Sequence, residues 1–126
     1  MNSKFYVSRE AAMLLKEKGY DTKCIFAYTD ISNGSDINGR IVFNSNDYPI
    51  GIYPCPTKSE AIDWLDSKEV YIQIVGVGSG ATQKWSYSVF DYKTCDNYVS
   101  DYIFLTRLEA KDAAIIKACK LLENGN

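Results

Sequence analysis

The residues that could do chemistry in this chain of 126 residues are few and scattered. The glycine run Gly76-Val77-Gly78-Ser79-Gly80 is of a kind that can cradle a phosphate. That chemistry needs the glycines to open a helix, so that backbone N–H groups and the helix dipole converge on the anion. Here Trp85-Ser86-Tyr87 follows, which reads as a strand, so the run is expected to be a hairpin connection. Carboxylates at Asp63, Asp66, Asp91, Asp96 and Asp101 show neither metal-ligand nor acid–base spacing and read as solvated groups. The stretch Asp30 to Asp36 offers loop oxygens. It lacks the Asp-x-Asp-x-Asp-Gly pattern and closing glutamate of a calcium hand, and reads as a turn-rich hairpin end. Histidine is absent, which removes the commonest general base and the commonest metal ligand.

Cysteine could supply a nucleophile or a zinc site. Cys24, Cys55, Cys95 and Cys119 are unevenly spaced and form no Cys-x-x-Cys pair, so no structural zinc is expected. Cys95 reads as an exposed thiol near Lys93, without the histidine that would activate it. Four cysteines allow three pairings, but free thiols in a cytoplasmic setting are expected. MNSKFYVSRE has no apolar leader segment, and no apolar run approaches the roughly 20 residues that span a bilayer. No cofactor, metal or catalytic residue is predicted. A formal charge of −2 gives no general attraction to nucleic acid or anionic membranes.

The elements that must position any site are clearer. Apolar content of 46% and this length suit a single domain with a real core. Thr57 and Glu60 form a capping box, and Ala61, Ile62, Trp64 and Leu65 give the following helix an apolar face. Val70 to Val75 is rich in β-branched residues and reads as a central strand. Ser8 caps a helix from about Arg9 to Lys18, ended by Gly19. Cys24 to Tyr28, Ile41 to Phe43 and Trp85 to Phe90 read as strands. Ile50 to Tyr53 suits a short edge strand, and Tyr102 to Leu105 a short last strand. The segment from Asp91 to Asp101 reads as a loop, and Lys4 to Val7 as an entry segment, extended or a sheet edge. Thr106 and Glu109 make a second capping box before a helix running to about Glu123. Together these predict one α+β domain over residues 1–126, with a mainly antiparallel sheet, helices on one face and the order α-β-β-(β)-α-β-β-(β)-α. Thr57 to Asp63 and Thr106 to Asp112 share T-x-x-E-A-x-D, which a duplicated unit or two ordinary helix starts would explain.

Ten tyrosines are many for this length. Tyr71 falls on the strand face opposite Ile72 and Ile74, and Tyr92 continues the face of Phe90. Tyr71, Phe90, Tyr92 and Tyr102 are therefore the candidate interaction residues, for a protein partner or a homo-oligomer. The expected class is a small non-enzymatic interaction protein.

Two resemblances add to this. Arg107-Leu108-Glu109-Ala110-Lys111, with Ala113 and Ala114 beyond, is similar to the last helix of double-stranded RNA-binding domains, which run helix, three strands, helix. That resemblance implies a nucleic-acid module using Arg107 and Lys111, although Leu108 and Glu109 stand where paired lysines would grip phosphates. Ala11 to Asp21, Pro56 to Leu65, the Trp85-Ser86-Tyr87 strand and the alanine-rich last helix together resemble small uncharacterised proteins of Bacteroides-type gut bacteria and their phages and prophages. This second resemblance implies an α+β fold and a host cytoplasm, with no catalytic residues to carry over.

Overall fold

The computed structural model describes residues 3–29, 40–101 and 103–122. It is an α+β fold of three helices and two three-stranded antiparallel sheets. The strands thus divide between two sheets rather than joining one. The turn-rich stretch Asp30 to Asp36 lies outside the described residues.

Helix α1 spans Arg9–Glu17. The Ser8 hydroxyl accepts from the Ala11 N–H at 3.3 Å, and Gly19 takes the left-handed conformation at φ 92° just past the end. Its inward stripe is Ala11, Ala12 and Leu15, all fully buried. Strand β1, Cys24–Thr29, is the centre of the first sheet, with β2, Arg40–Ser45, and β3, Ile52–Pro54, on either side. The entry segment is not simply extended: Ser3–Phe5 forms a single 3-10 turn. Tyr6 then bridges to Thr57, and the Val7 N–H donates to Pro56 O at 3.1 Å.

Helix α2, Lys58–Ser67, starts on the expected reciprocal cap: the Glu60 N–H donates to Thr57 Oγ1 at 3.1 Å, and the Thr57 N–H to Glu60 Oε1 at 2.9 Å. The chain then runs as a meander of β4, Val70–Val77, β5, Lys84–Asp91, and β6, Asp96–Val99. Helix α3, Arg107–Leu121, packs against α1, α2, β4 and β5, and so joins the two halves. The core gathers Trp64, Leu65, Val89, Ile115, Cys119 and Leu122, with Ile72, Ile74 and Tyr87 half-buried against it. Trp64 and Leu65 in it belong to the apolar face that helical periodicity predicts.

Two expectations are corrected. The last described strand is β6, inside the segment expected to be a loop, and from Ile103 to Leu105 only an isolated Trp85–Phe104 bridge forms. The reason is local. Asp91 closes a tight turn by accepting from the Lys93 N–H at 3.0 Å and the Cys95 N–H at 2.8 Å, and Cys95 is left-handed at φ 62°. The chain reverses at once beside β5, so a polar segment pairs as an edge that water can solvate. The second capping box is half formed: Glu109 N–H donates to Thr106 Oγ1, but the Glu109 carboxylate accepts from the Thr106 hydroxyl. The two units sharing T-x-x-E-A-x-D also differ in strand order, β2-β1-β3 before α2 and β4-β5-β6 before α3. That difference gives duplication no support.

Candidate functional site

Period-two alternation fixes the two faces of the second sheet. Val70, Ile72 and Ile74 on β4 lie across from Asp91, Val89 and Tyr87 on β5, and this face meets α2 and α3. The other face carries Tyr71, Gln73, Val75 and Val77 opposite Phe90, Ser88, Ser86 and Lys84, with Val99 beside Ser88 on β6. No described element packs over it. Tyr71 is 42% exposed, Tyr92 59% and Val99 63%, while Phe90 is half-buried between them. Tyr92 is the hinge of an aromatic cluster, edge-on to Tyr71 at 6.4 Å and to Phe90 at 6.5 Å. Tyr71, Phe90 and Tyr92 thus stand together. Tyr102 lies outside the described residues. Val75, Val77 and Val99 belong to the same face and went unnamed in the sequence reading, although the strand alternation that picked out Tyr71 also marks Val75 and Val77.

The basic residues of α3 sit elsewhere. Arg107 is exposed, with its guanidinium 5.7 Å above the Trp85 ring. Lys111 lines a hollow of about 440 Å³ with Phe5, Tyr6, Lys58 and Leu108. Next to it a cleft of about 540 Å³ runs between the starts of α1 and α2 and the first turns of α3, with Tyr6, Tyr28 and Phe104 as apolar walls. Its charged groups serve the fold. Asp112 accepts from the Ser8 N–H at 2.9 Å, and Arg9 donates to Thr29 O at 2.8 Å while lying over the Tyr28 ring. Lys58 is 8% exposed and donates to Lys4 O at 2.6 Å. Burial lowers its pKa, Asp112 and Glu109 work the other way, and Lys111 adds to the lowering. These bonds tie the three helix starts together rather than leaving charges for a ligand.

The remaining candidates resolve by geometry. All four cysteines are free thiols, and Cys24, Cys55 and Cys119 are buried while Cys95 is exposed. Burial pushes the Cys119 thiol up to about 12, further from reactivity. The glycine run leaves the end of β4, and Gly80 begins a three-residue 3-10 turn that hands over to β5, so its N–H groups do not open an α-helix. Among the described residues no group of acidic or cysteine side chains could hold a metal ion. No described helix is long and apolar enough to cross a membrane.

No family model matches the chain, and no solved structure matches it. Two curated proteins, both 4-diphosphocytidyl-2-C-methyl-D-erythritol kinases, from Acidovorax sp. strain JS42 and Acidovorax ebreus strain TPSY, are 29% identical to it over 113 residues. The match covers 74% of this chain and spans 40% of the length of those relatives.

Proposed function

We propose that this chain is a small non-enzymatic binding protein that associates with its own copies or with a protein partner through the outer face of its second sheet. The observation that carries this reading is the uncovered aromatic cluster of Tyr71, Phe90 and Tyr92, flanked by exposed Val75, Val77 and Val99. An exposed aromatic cluster of this kind is costly to leave in water and has the aromatic composition of interface cores. A bacterial cytoplasm, in a phage or prophage context, is the setting that the sequence resemblance suggests. Kinase chemistry, the activity in the names of the Acidovorax relatives, would need a phosphate cradle, and a glycine run between two strands is poorly built for one.

The test is light scattering across a concentration series, together with a photo-crosslinking residue in place of Tyr92 in bacterial cells. The expected result is a mass rising above 14.2 kDa, or discrete crosslinked adducts, with either signal lost on Phe90→Ser. A mass fixed at the monomer value, with no adduct that depends on Phe90, overturns the proposal.

One observation favours a second reading, nucleic-acid binding. From α2 to α3 the chain runs helix, three-stranded antiparallel meander, helix, and both helices pack against the second sheet. This is the element order of double-stranded RNA-binding domains, with Arg107 and Lys111 at the start of the last helix. Net charge and Glu109 weigh against it. Fluorescence anisotropy with an RNA duplex of about 16 base pairs at low salt decides. Binding abolished by Lys111→Glu would favour this second reading over the first.

A further inference from the structure

The four sheet edges are not alike. Natural sheets blunt their edges with short strands, prolines, charges or bulges, because a row of unpaired N–H and C=O groups invites another strand. Strand β3 has three residues and ends on Pro54. Strand β2 shifts register against β1 and turns left-handed at Asn44, φ 56°. Strand β6 has four residues and begins on Asp96. Strand β4 has none of these devices. It is eight residues long, Val-Tyr-Ile-Gln-Ile-Val-Gly-Val, without charge or proline, and its register with β5 is unbroken from Val70 to Val77.

The backbone pattern shows which groups face out. Tyr92 N–H donates to Glu69 O, which fixes the hydrogen-bonded pairs of β4 and β5 at every second residue from there: Tyr71 with Phe90, Gln73 with Ser88, Val75 with Ser86. On β5 the alternate residues, Trp85 and Tyr87, bond towards Phe104 and Ser100 on the opposite side, as this alternation requires. The N–H and C=O groups of Ile72, Ile74 and Gly76 therefore point away from β5. No described backbone group pairs with them.

We propose that β4 pairs along this edge with β4 of a second copy, antiparallel across a two-fold axis, joining two three-stranded sheets into one of six strands. The proposal rests on the association reading above and names its mode. Three features favour a second copy as the occupant. An antiparallel strand pair about a two-fold is self-complementary, so each copy supplies the donors and acceptors the other needs. The strand is uncharged from Val70 to Val77, so pairing it with itself sets no like charges opposite each other. The exposed Tyr71, Val75 and Val77 of both copies would also meet across the seam, covering apolar surface that one copy alone leaves wet.

The experiment compares Ile74→Pro with Ile74→Ala by sedimentation equilibrium. Both remove the same inward side chain, but only proline removes an N–H that faces the free edge. A proline there takes no hydrogen bond from the β4–β5 ladder. The expected result is a dimer whose dissociation constant rises at least about tenfold more in the proline variant than in the alanine variant, about what one or two lost interstrand hydrogen bonds amount to. Amide exchange on the natural chain gives a second readout independent of any variant. Exchange at Ile72, Ile74 and Gly76 should slow as concentration rises, while Gln73 and Val75 stay protected throughout. Association that is equal in both Ile74 variants and lost in Phe90→Ser overturns edge pairing and leaves the open-face reading standing. Concentration-independent exchange at Ile72, Ile74 and Gly76 in a chain that does associate also overturns it. A chain monomeric at every concentration overturns edge pairing with a second copy and the self-association part of the wider reading together.

Discussion

The two sheets have three strands each and solve burial differently. In the first, the central strand β1 buries three consecutive residues, Ala27, Tyr28 and Thr29, so both of its faces are covered there. In the second, β4 alternates half-buried and exposed residues along most of its length. Covering both faces brings the Tyr28 hydroxyl inside, where it donates to Val7 O at 2.6 Å. Covering one face leaves the other free to carry function. The first sheet also leaves Ile25 and Val42 exposed, but the second sets Tyr71, Val75 and Val77 together on one face.

The largest effect that could break this contrast is in the shared core. Leu65→Ala on α2 or Ile115→Ala on α3 should cost about 2–5 kcal/mol in urea denaturation, the range for emptying a fully buried aliphatic site. Both side chains are wholly buried, so a loss below about 1 kcal/mol would mean that the core relaxes far more than a close-packed interior does.

The next effect is read by pH. Burial raises the Tyr87 hydroxyl on β5, and it also raises groups on the side of the first sheet. Tyr20, Cys24 and Tyr48 are all pushed up chiefly by burial, and Cys119 faces Lys18 and Glu17 of α1 with its pKa raised to about 12. A thiol held neutral in the folded state releases its proton sooner when unfolded. The stabilisation is thus complete below the usual thiol value near pH 9 and is lost as pH rises towards 12. Stability should fall across that window by at most about 1.4 kcal/mol per pH unit from this one group. Cys119→Ala should flatten that part of the slope while lowering stability at neutral pH. An unchanged slope in the variant would assign the alkaline loss to Cys24 and the tyrosines.

A smaller effect compares the two helix starts that lead into and out of the second sheet. Replacing Thr57 and Glu60 together by alanine breaks both halves of a reciprocal cap and should cost about 1–2 kcal/mol. Replacing Thr106 and Glu109 together frees one helical N–H and should cost nearer 0.5–1 kcal/mol, roughly a single cap bond. Equal losses would show that the missing bond at Thr106 carries no weight.

Much of this architecture was legible in the sequence, because caps and periodicity are local physics. Ser8, Thr57 and Thr106 each start a helix where the pattern places one, and Tyr87 and Val89 face inward as strand alternation requires. What was not legible depends on distant partners. Strand β6 is polar and carries no strand signal of its own, and exists because the turn at Asp91 lays it beside β5. The division into two sheets depends on which strands meet across the fold, which no window of sequence contains. The same limit applies to the candidate site. Alternation could place Tyr71 and Tyr92 on one face, but only the packing of α2 and α3 against the other face shows that this one is left open. The cleft at the three helix starts gave no sequence signal, since Arg9, Lys58 and Asp112 lie far apart in the chain.

The smallest effect is also the one that sharpens the contrast most. In the free chain Tyr71 and Tyr92 touch edge to face at 6.4 Å with both rings wet. Exposed aromatic pairs are worth little, because water competes for both faces and the rings lose few contacts when one is removed. A double-mutant cycle of Tyr71→Ala and Tyr92→Ala should therefore give a coupling of about 0.5 kcal/mol at protein concentrations where the chain is monomeric, the low end for such pairs. If the open face is an interface, the same cycle repeated at high concentration should give a larger coupling, because association takes the pair out of water and each ring then also meets the facing copy. A coupling that does not change with concentration would mean that these rings stay wet in whatever assembly forms. A large coupling already present in the monomer would mean that the face is covered within the chain, and the second sheet would then resemble the first.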